Sequence, residues 1–248
     1  MGRTAIVTGG SRGIGAATAR LLAAAGWDIV ISYRLDGDAA AAVVASCRQA
    51  GMSAAAVQAD VASATDINRL FAQADSGPSP LGALVNNAGI TGLKARVDEL
   101  TGERIQRMMA VNVTGTLLCA RQAILRMSTR YGGAGGVIVN LSSAAARHGS
   151  PGEYVDYAAS KGAVDTLTQG MAVEVAQESI RVNAVRPGLI RTDIHAAGGQ
   201  PDRLARLESV IPMRRPGEPE EVAAAIVWLC SDAASYVTGA IVDVGGGR

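Results

Sequence analysis

Short runs rich in β-branched residues alternate with longer Ala-rich runs along the whole chain, and no other feature limits its fold as tightly. Strands separated by helical runs need crossover connections, so the sheet they build is parallel and covered on both faces. The pattern predicts strands over 3–8, 28–33, 53–58, 81–85, 137–141, 181–185 and 240–244. It predicts helices over 13–25, 38–50, 63–74, 101–131, 155–178 and 218–229, with a short one near 201–210. Gly26 and Gly51 end the first two helices, Ser63 caps the third, and Pro219 falls in the first turn of the last. Aromatics make up 3 % of the chain and hydrophobic residues 48 %, so the core must be built from Ala, Val, Ile and Leu, which suits helices packed closely on a sheet. No linker or repeat interrupts the rhythm. Residues 1–248 therefore read as a single doubly wound α/β domain of about seven parallel strands with helices on both faces.

Charge and cysteine usage exclude several function classes. Lys and Arg total 23 against 22 Asp and Glu, which leaves no basic excess to hold a nucleic-acid backbone. Cys47, Cys119 and Cys230 are far apart and form no C-x-x-C pair, and His148 and His195 have no ligand-like neighbours. Neither a disulfide framework nor a metal site is expected, and a reducing cytoplasm is the expected compartment. No signal peptide is visible, and no uncharged apolar stretch reaches the roughly 18 to 20 residues that cross a bilayer, so no membrane partner is expected.

The first strand runs into Thr8-Gly9-Gly10-Ser11-Arg12-Gly13-Ile14-Gly15, which opens the first helix. Glycines in that context permit a tight turn, let backbone N–H groups approach a pyrophosphate, and let the helix pack on the sheet. The helix N-terminus adds a partial positive charge. The second strand ends Ser32-Tyr33-Arg34, with acidic residues only at Asp36 and Asp38. An acidic residue at a strand end of this kind suits the ribose of NAD, whereas Arg34, aided by Arg12, suits a 2′-phosphate. NADP(H) is the favoured cofactor, with NAD(H) the alternative.

Tyr157-Ala158-Ala159-Ser160-Lys161 begins the helix predicted over 155–178, and its four-residue spacing puts phenol and ammonium on one face. A nearby ammonium favours phenolate and should lower the phenol pKa, so the tyrosine could exchange a proton with a carbonyl or alcohol oxygen. Y-x-x-x-K alone is common by chance. Tyr154 has Ala158 at the matching position.

In company these motifs resemble the short-chain dehydrogenase/reductase family over essentially the whole chain. The glycine loop is followed by Asp60-Val61 after the third strand and by Asn86-Asn87-Ala88-Gly89 after the fourth. Asn112, Ser142-Ser143, Tyr157 with Lys161, and Pro187-Gly188-Leu189-Ile190-Arg191-Thr192 come next, in the family's order. The resemblance implies a Rossmann-type fold and reversible hydride transfer between NADP(H) and a small carbonyl or alcohol. It implies Tyr157 as general acid, Ser143 (favoured over Ser142) on the substrate oxygen, and Lys161 on the nicotinamide ribose. Asn112 would hold a water that reaches Lys161. Gly9, Ser11, Arg12, Gly13, Ile14, Gly15, Tyr33, Arg34, Asp60, Val61, Asn87, Ala88, Gly89, Pro187, Gly188, Ile190 and Thr192 would surround the cofactor. A homotetramer is the assembly it implies.

Residues 191–215 read as a substrate lid. The 3-oxoacyl acyl-carrier-protein reductases are the nearest resemblance, but they carry a basic residue just before the glutamate matching Glu174, where this chain has Val173. Arg126 and Arg130 could offer other basic contacts. A non-catalytic NADP(H)-binding regulator is the rival from another class, and the presence of both Tyr157 and Lys161 argues against it.

Overall fold

The computed structural model describes residues 2–248. Its strands are β1 (Arg3–Val7), β2 (Trp27–Tyr33), β3 (Ala54–Gln58), β4 (Leu81–Asn86), β5 (Gly136–Leu141), β6 (Ile180–Pro187) and β7 (Ile241–Val244). Its helices are α1 (Gly13–Ala24), α2 (Gly37–Gln49), α3 (Ala64–Asp75), α4 (Gly102–Met109), α5 (Gly115–Met127), α6 (Ala145–His148), α7 (Val155–Val175), α8 (Ile194–Ala197), α9 (Arg203–Leu207) and α10 (Pro219–Cys230). The strands form one parallel sheet in the order β3-β2-β1-β4-β5-β6-β7. The chain winds outward from β1 to β3, then returns to the other side of β1 to start β4. Loops leaving β1 and β4 diverge at that reversal and open a crevice at the strands' carboxyl ends.

Strand alternation divides the core in two. Ala5 and Val7 face the layer of α1, α2 and α10, whose Ala16, Ala19, Leu22, Val43 and Ile226 are buried against them. Ile6 faces the layer of α3, α5 and α7, where Phe71, Ala120, Met127 and Ala172 fill the space. Small residues bring the helices close: a Cβ at Gly115 would stand 2.7 Å from the Val61 carbonyl oxygen.

The helix predicted over 101–131 differs in two ways. It passes through a π turn at Ala110–Thr114, and it ends at Met127. The extra residue of a π turn rotates the following helix. Here it accompanies Asn112, whose Oδ1 accepts from Ile90 N at 2.9 Å and whose Nδ2 donates to Ile90 O and to Ser160 Oγ, each at 3.0 Å. Ser128 then leaves helical geometry, Thr129–Tyr131 is a 3₁₀ turn, and Gly132 is left-handed at φ 84°. The run from Gly102 to Met127 is long and apolar enough to meet a membrane-span criterion, but Cys119, Ala120, Ala123 and Met127 are fully buried against the sheet. Helices α6 and α8 were not predicted, since four residues carry too little periodicity to register.

Candidate active site

Helix α7 carries the phenol and ammonium, and its first turn is tied down before they are reached. Asp156 is buried and accepts from Arg104 Nε at 2.8 Å and Nη2 at 3.1 Å, locking α7 to α4. Tyr157 follows, and Lys161 lies one turn on. The end of β5 meets them. Ser142 turns inward, its hydroxyl 3.3 Å from the Lys161 carbonyl, while Ser143 faces the Tyr157 phenol and takes the Ala145 N–H at 3.1 Å. Adjacent strand-end residues point to opposite sides, which is why only one serine reaches the phenol.

The electrostatics depart from the simple Tyr–Lys picture. Burial pushes the Tyr157 phenol above its ordinary value, while the Ser143 hydroxyl and the Arg203 charge act against that rise. Lys161 is not among the causes. Its Nζ lies 5.8 Å from the ring centroid and donates to Leu141 O at 2.6 Å. Burial brings the ammonium down to about 8, with Asp165 one turn further along opposing that fall. The shared helix face is therefore real, but one of the three ammonium N–H groups goes to β5 and none is bonded to the phenol.

Ser143, Tyr157 and Lys161 line a cavity of about 290 Å³ together with Pro187, Gly188 and Ile190. It runs into a second crevice, and Ile14, Asn87, Gly89 and Thr192 border both. The walls of that crevice include Gly9, Ser11, Arg12 and Gly13 from the glycine loop, Tyr33 and Arg34 from the end of β2, and Asp60, Val61 and Ala88. Gly9 and Gly13 are left-handed at φ 63° and 54°. Helix α1 starts with no side-chain cap and no acidic residue in its first turn, which leaves a helix N-terminus suited to an anion.

Two of the expected residues line neither cavity. Gly15 is buried, and a side chain there would run into the Gly9 carbonyl and the Asn87 amide, so its work is packing. Asn112 sits behind the wall with its side chain spent on Ile90 and Ser160. A Cβ at Gly89 would stand 3.4 Å from Asn112 Oδ1 and 3.5 Å from Lys161 Nζ, so the three converge.

Asp60 is more constrained than its motif suggests. Its Oδ1 takes the Ala62 N–H at 2.9 Å and its Oδ2 takes Arg107 Nη2 at 2.6 Å. Burial opposes ionisation, but the Ala62 N–H and the Arg107 guanidinium outweigh it and hold the carboxyl below the usual range.

Comparison with known proteins agrees with this geometry. A family model described as Enoyl-(Acyl carrier protein) reductase matches residues 9–248. An uncharacterized oxidoreductase of Escherichia coli K12, YgfF, is 55 % identical over 98 % of this chain and 99 % of its own. The chain belongs to the short-chain dehydrogenase/reductase family. As such it is an oxidoreductase acting on CH–OH and C=O groups. Another member, 3beta-hydroxysteroid dehydrogenase 1 of Eggerthella lenta, is 43 % identical over 99 % of this chain and 93 % of its own. Among solved structures, a blue fluorescent protein from a metagenomic library in complex with NADPH superposes with a TM-score of 0.90 at 35 % identity, covering 99 % of this chain and 97 % of that one.

Within this short-chain dehydrogenase fold, several side chains reach the site that no motif marks, Arg203 among them from the predicted lid. Arg107 borders the crevice through its pair with Asp60. Glu153, Tyr154 and Arg203 line the cavity beside Tyr157. Asp165 had a signal available, because it follows Lys161 at the same four-residue spacing that marks Tyr157. The others pair across about 50 positions of sequence, and no local pattern reveals them.

Proposed function

We propose that this chain is an NADP(H)-dependent oxidoreductase that interconverts a carbonyl and a secondary alcohol, with Tyr157 as general acid and base. The observation that carries this reading is the convergence of Ser143, Tyr157 and Lys161 in one cavity that opens into the glycine-loop crevice. The crevice fits a dinucleotide. Its floor is left-handed glycine, its back wall is the uncapped N-terminus of α1, and Asp60 and Val61 line it, where the family resemblance would put the adenine. When bound, the reduced nicotinamide supplies hydride, and the protein supplies orientation and proton transfer. Ser143 would hold the substrate oxygen against the Tyr157 hydroxyl. Lys161 would bind the nicotinamide ribose, and Asn112 would order the far side of Lys161.

The preference for NADP(H) rests on charge at the end of β2. Arg12 and Arg34 are exposed in the crevice wall, and neither has an ion-pair partner among the described residues. Asp36, two positions past Arg34, caps α2, where its Oδ1 takes the Ala39 N–H at 2.9 Å, and Asp60, which feels the Arg34 charge, is paired with Arg107. The test is a panel of ketones, sugar lactones and an acyl-carrier thioester, followed by NADPH and NADH consumption. Wild-type protein should oxidise NADPH with at least one member. Arg34→Asp should weaken NADPH by about tenfold or more, the cost of a lost charge-assisted phosphate contact, and spare NADH. Equal losses for the two cofactors reject the preference.

A carrier-protein substrate is not favoured. Val173 is exposed and apolar, Arg126 is held bidentate by Asp75, and Arg130 lies 4.0 Å from Glu178. Residues 191–215, with α8 and α9, act as the lid over the cavity. A homotetramer is supported by half-exposed Ile105, Leu117 and Leu125 on α4 and α5, by Trp228 on α10, and by the open edge of β7. Light scattering should then read about four times the 25.2 kDa chain mass; a monomer mass rejects that assembly.

A further inference from the structure

We propose that the cavity selects substrates carrying a second hydroxyl besides the reacting one, and that His195 on α8 accepts the hydrogen bond from it. This rests on reading the site as a carbonyl/alcohol centre. It begins from a tautomer. His195 Nε2 lies 3.0 Å from the Ile190 carbonyl oxygen. A carbonyl only accepts, so Nε2 must carry the hydrogen, and a neutral ring then leaves Nδ1 with a lone pair. Burial keeps the ring below its ordinary pKa. The Ile190 bond works against that, and the Arg203 charge reinforces it.

Nδ1 has no protein partner, and it is not sealed away. Among the described residues the one fully buried side-chain N or O atom lacking a partner is Asp165 Oδ1. His195 lines the cavity, and we assign its free acceptor to that side. Such an acceptor facing an apolar ligand surface would lose its water and gain nothing in return. Facing a hydroxyl, it is matched.

The neighbouring wall fits the same ligand. Arg203 is nearly buried, at 12 % side-chain exposure, and its Nη1 donates to Glu153 Oε2 at 2.6 Å. The pair cancels its own charge, so it gives an anionic substrate no net attraction. The remaining guanidinium N–H groups and Glu153 Oε1 can still give and take hydrogen bonds with neutral hydroxyls. This pair lines the same cavity as Tyr157 and His195. It is held there by the Tyr154 ring, 5.1 Å below the guanidinium, while the Tyr154 hydroxyl engages Gln200. A site built to bond a hydroxyl rejects the analogue that lacks it far more strongly than an apolar pocket rejects an extra methylene.

The experiment is calorimetric titration of cyclohexanol and of cyclohexane-1,2-, 1,3- and 1,4-diol into the protein saturated with NADPH, where an alcohol cannot react. At least one diol should bind about tenfold or more tighter than cyclohexanol, the worth of one matched hydrogen bond. His195→Phe should erase that difference, with His195→Leu as the second variant if the first does not fold. His195→Gln, whose amide can both donate to Ile190 and accept, should recover most of it. Four equal affinities in the wild type, or a preference that survives His195→Phe or His195→Leu, overturns the inference. Ketone turnover with NADPH is assayed in parallel. Turnover without diol preference removes the His195 assignment and leaves the oxidoreductase standing. Diol preference without turnover on any carbonyl does the reverse.

Discussion

Tyr157→Phe is expected to lower kcat by about 10²–10⁴-fold, the contribution of a positioned acid–base group, while NADPH affinity stays near the wild-type value. The substitution removes one oxygen and keeps the ring, so the wall that Tyr157 shares with Ser143 and Lys161 retains its shape. What disappears is the hydroxyl proposed to hand a proton to an oxygen held by Ser143. Burial holds the phenol in its neutral, proton-bearing form, which is the form a carbonyl reduction consumes. The Ser143 hydroxyl and the Arg203 charge act the other way and favour the phenolate left behind, which eases the donation itself. Steady-state kinetics on the best substrate of the ketone panel, with a fluorescence titration of NADPH, measure the two quantities. Turnover within about tenfold of wild type would remove Tyr157 from the chemistry. A parallel collapse of cofactor binding would show that the variant had lost its site rather than its acid.

What was legible beforehand follows from where each feature stores its information. Strand and helix positions, and with them a parallel sheet covered on both faces, are written locally, in β-branched runs, Ala-rich runs and the glycines between them; the strand order is not. The cofactor crevice is equally local, because Gly9 and Gly13 must be glycine for backbone reasons that any reader of the strand-to-helix junction can apply. The π turn could not be read, since Asn112 finds its partners 22 residues away at Ile90 and 48 away at Ser160. The same holds for Arg107 on Asp60, 47 positions apart, and Arg203 on Glu153, 50 apart. Tyr154 was set aside for lacking a lysine at its fourth position, yet its ring supports Arg203. Spacing on a helix predicted that Lys161 would share a face with Tyr157. It could not foresee that the Leu141 carbonyl would claim the ammonium first.

That claim sets up an unusual expectation for Lys161→Met: a dead enzyme that is more stable than its parent. Lys161 is 4 % exposed, and its burial brings the ammonium from 10.5 down to about 8. A folded-state pKa below the unfolded one means that the unfolded chain holds the proton more tightly. Below about 8 both states are charged, and the folded state carries the whole desolvation cost. Between about 8 and 10.5 the folded state has released the proton while the unfolded state still holds it, so stability climbs with pH across that window. Methionine fills a similar volume without charge. It loses the bond to Leu141 O, worth about 1 kcal/mol, but escapes a desolvation cost larger than that. The net gain at pH 7 is expected to be about 1–3 kcal/mol, in the range seen when buried charges give way to apolar side chains. At this chain length each kcal/mol corresponds to roughly 2–4 °C in Tm. Thermal melts at pH 7 and pH 10 should show the variant ahead at the lower pH and its lead shrinking at the higher one, while kcat/KM falls by about 10²-fold or more through loss of the proposed ribose contact and of a charge beside the proposed reacting centre. A variant that melts below wild type at pH 7 would mean that the ammonium is a net structural support, and the desolvation argument would fail with it.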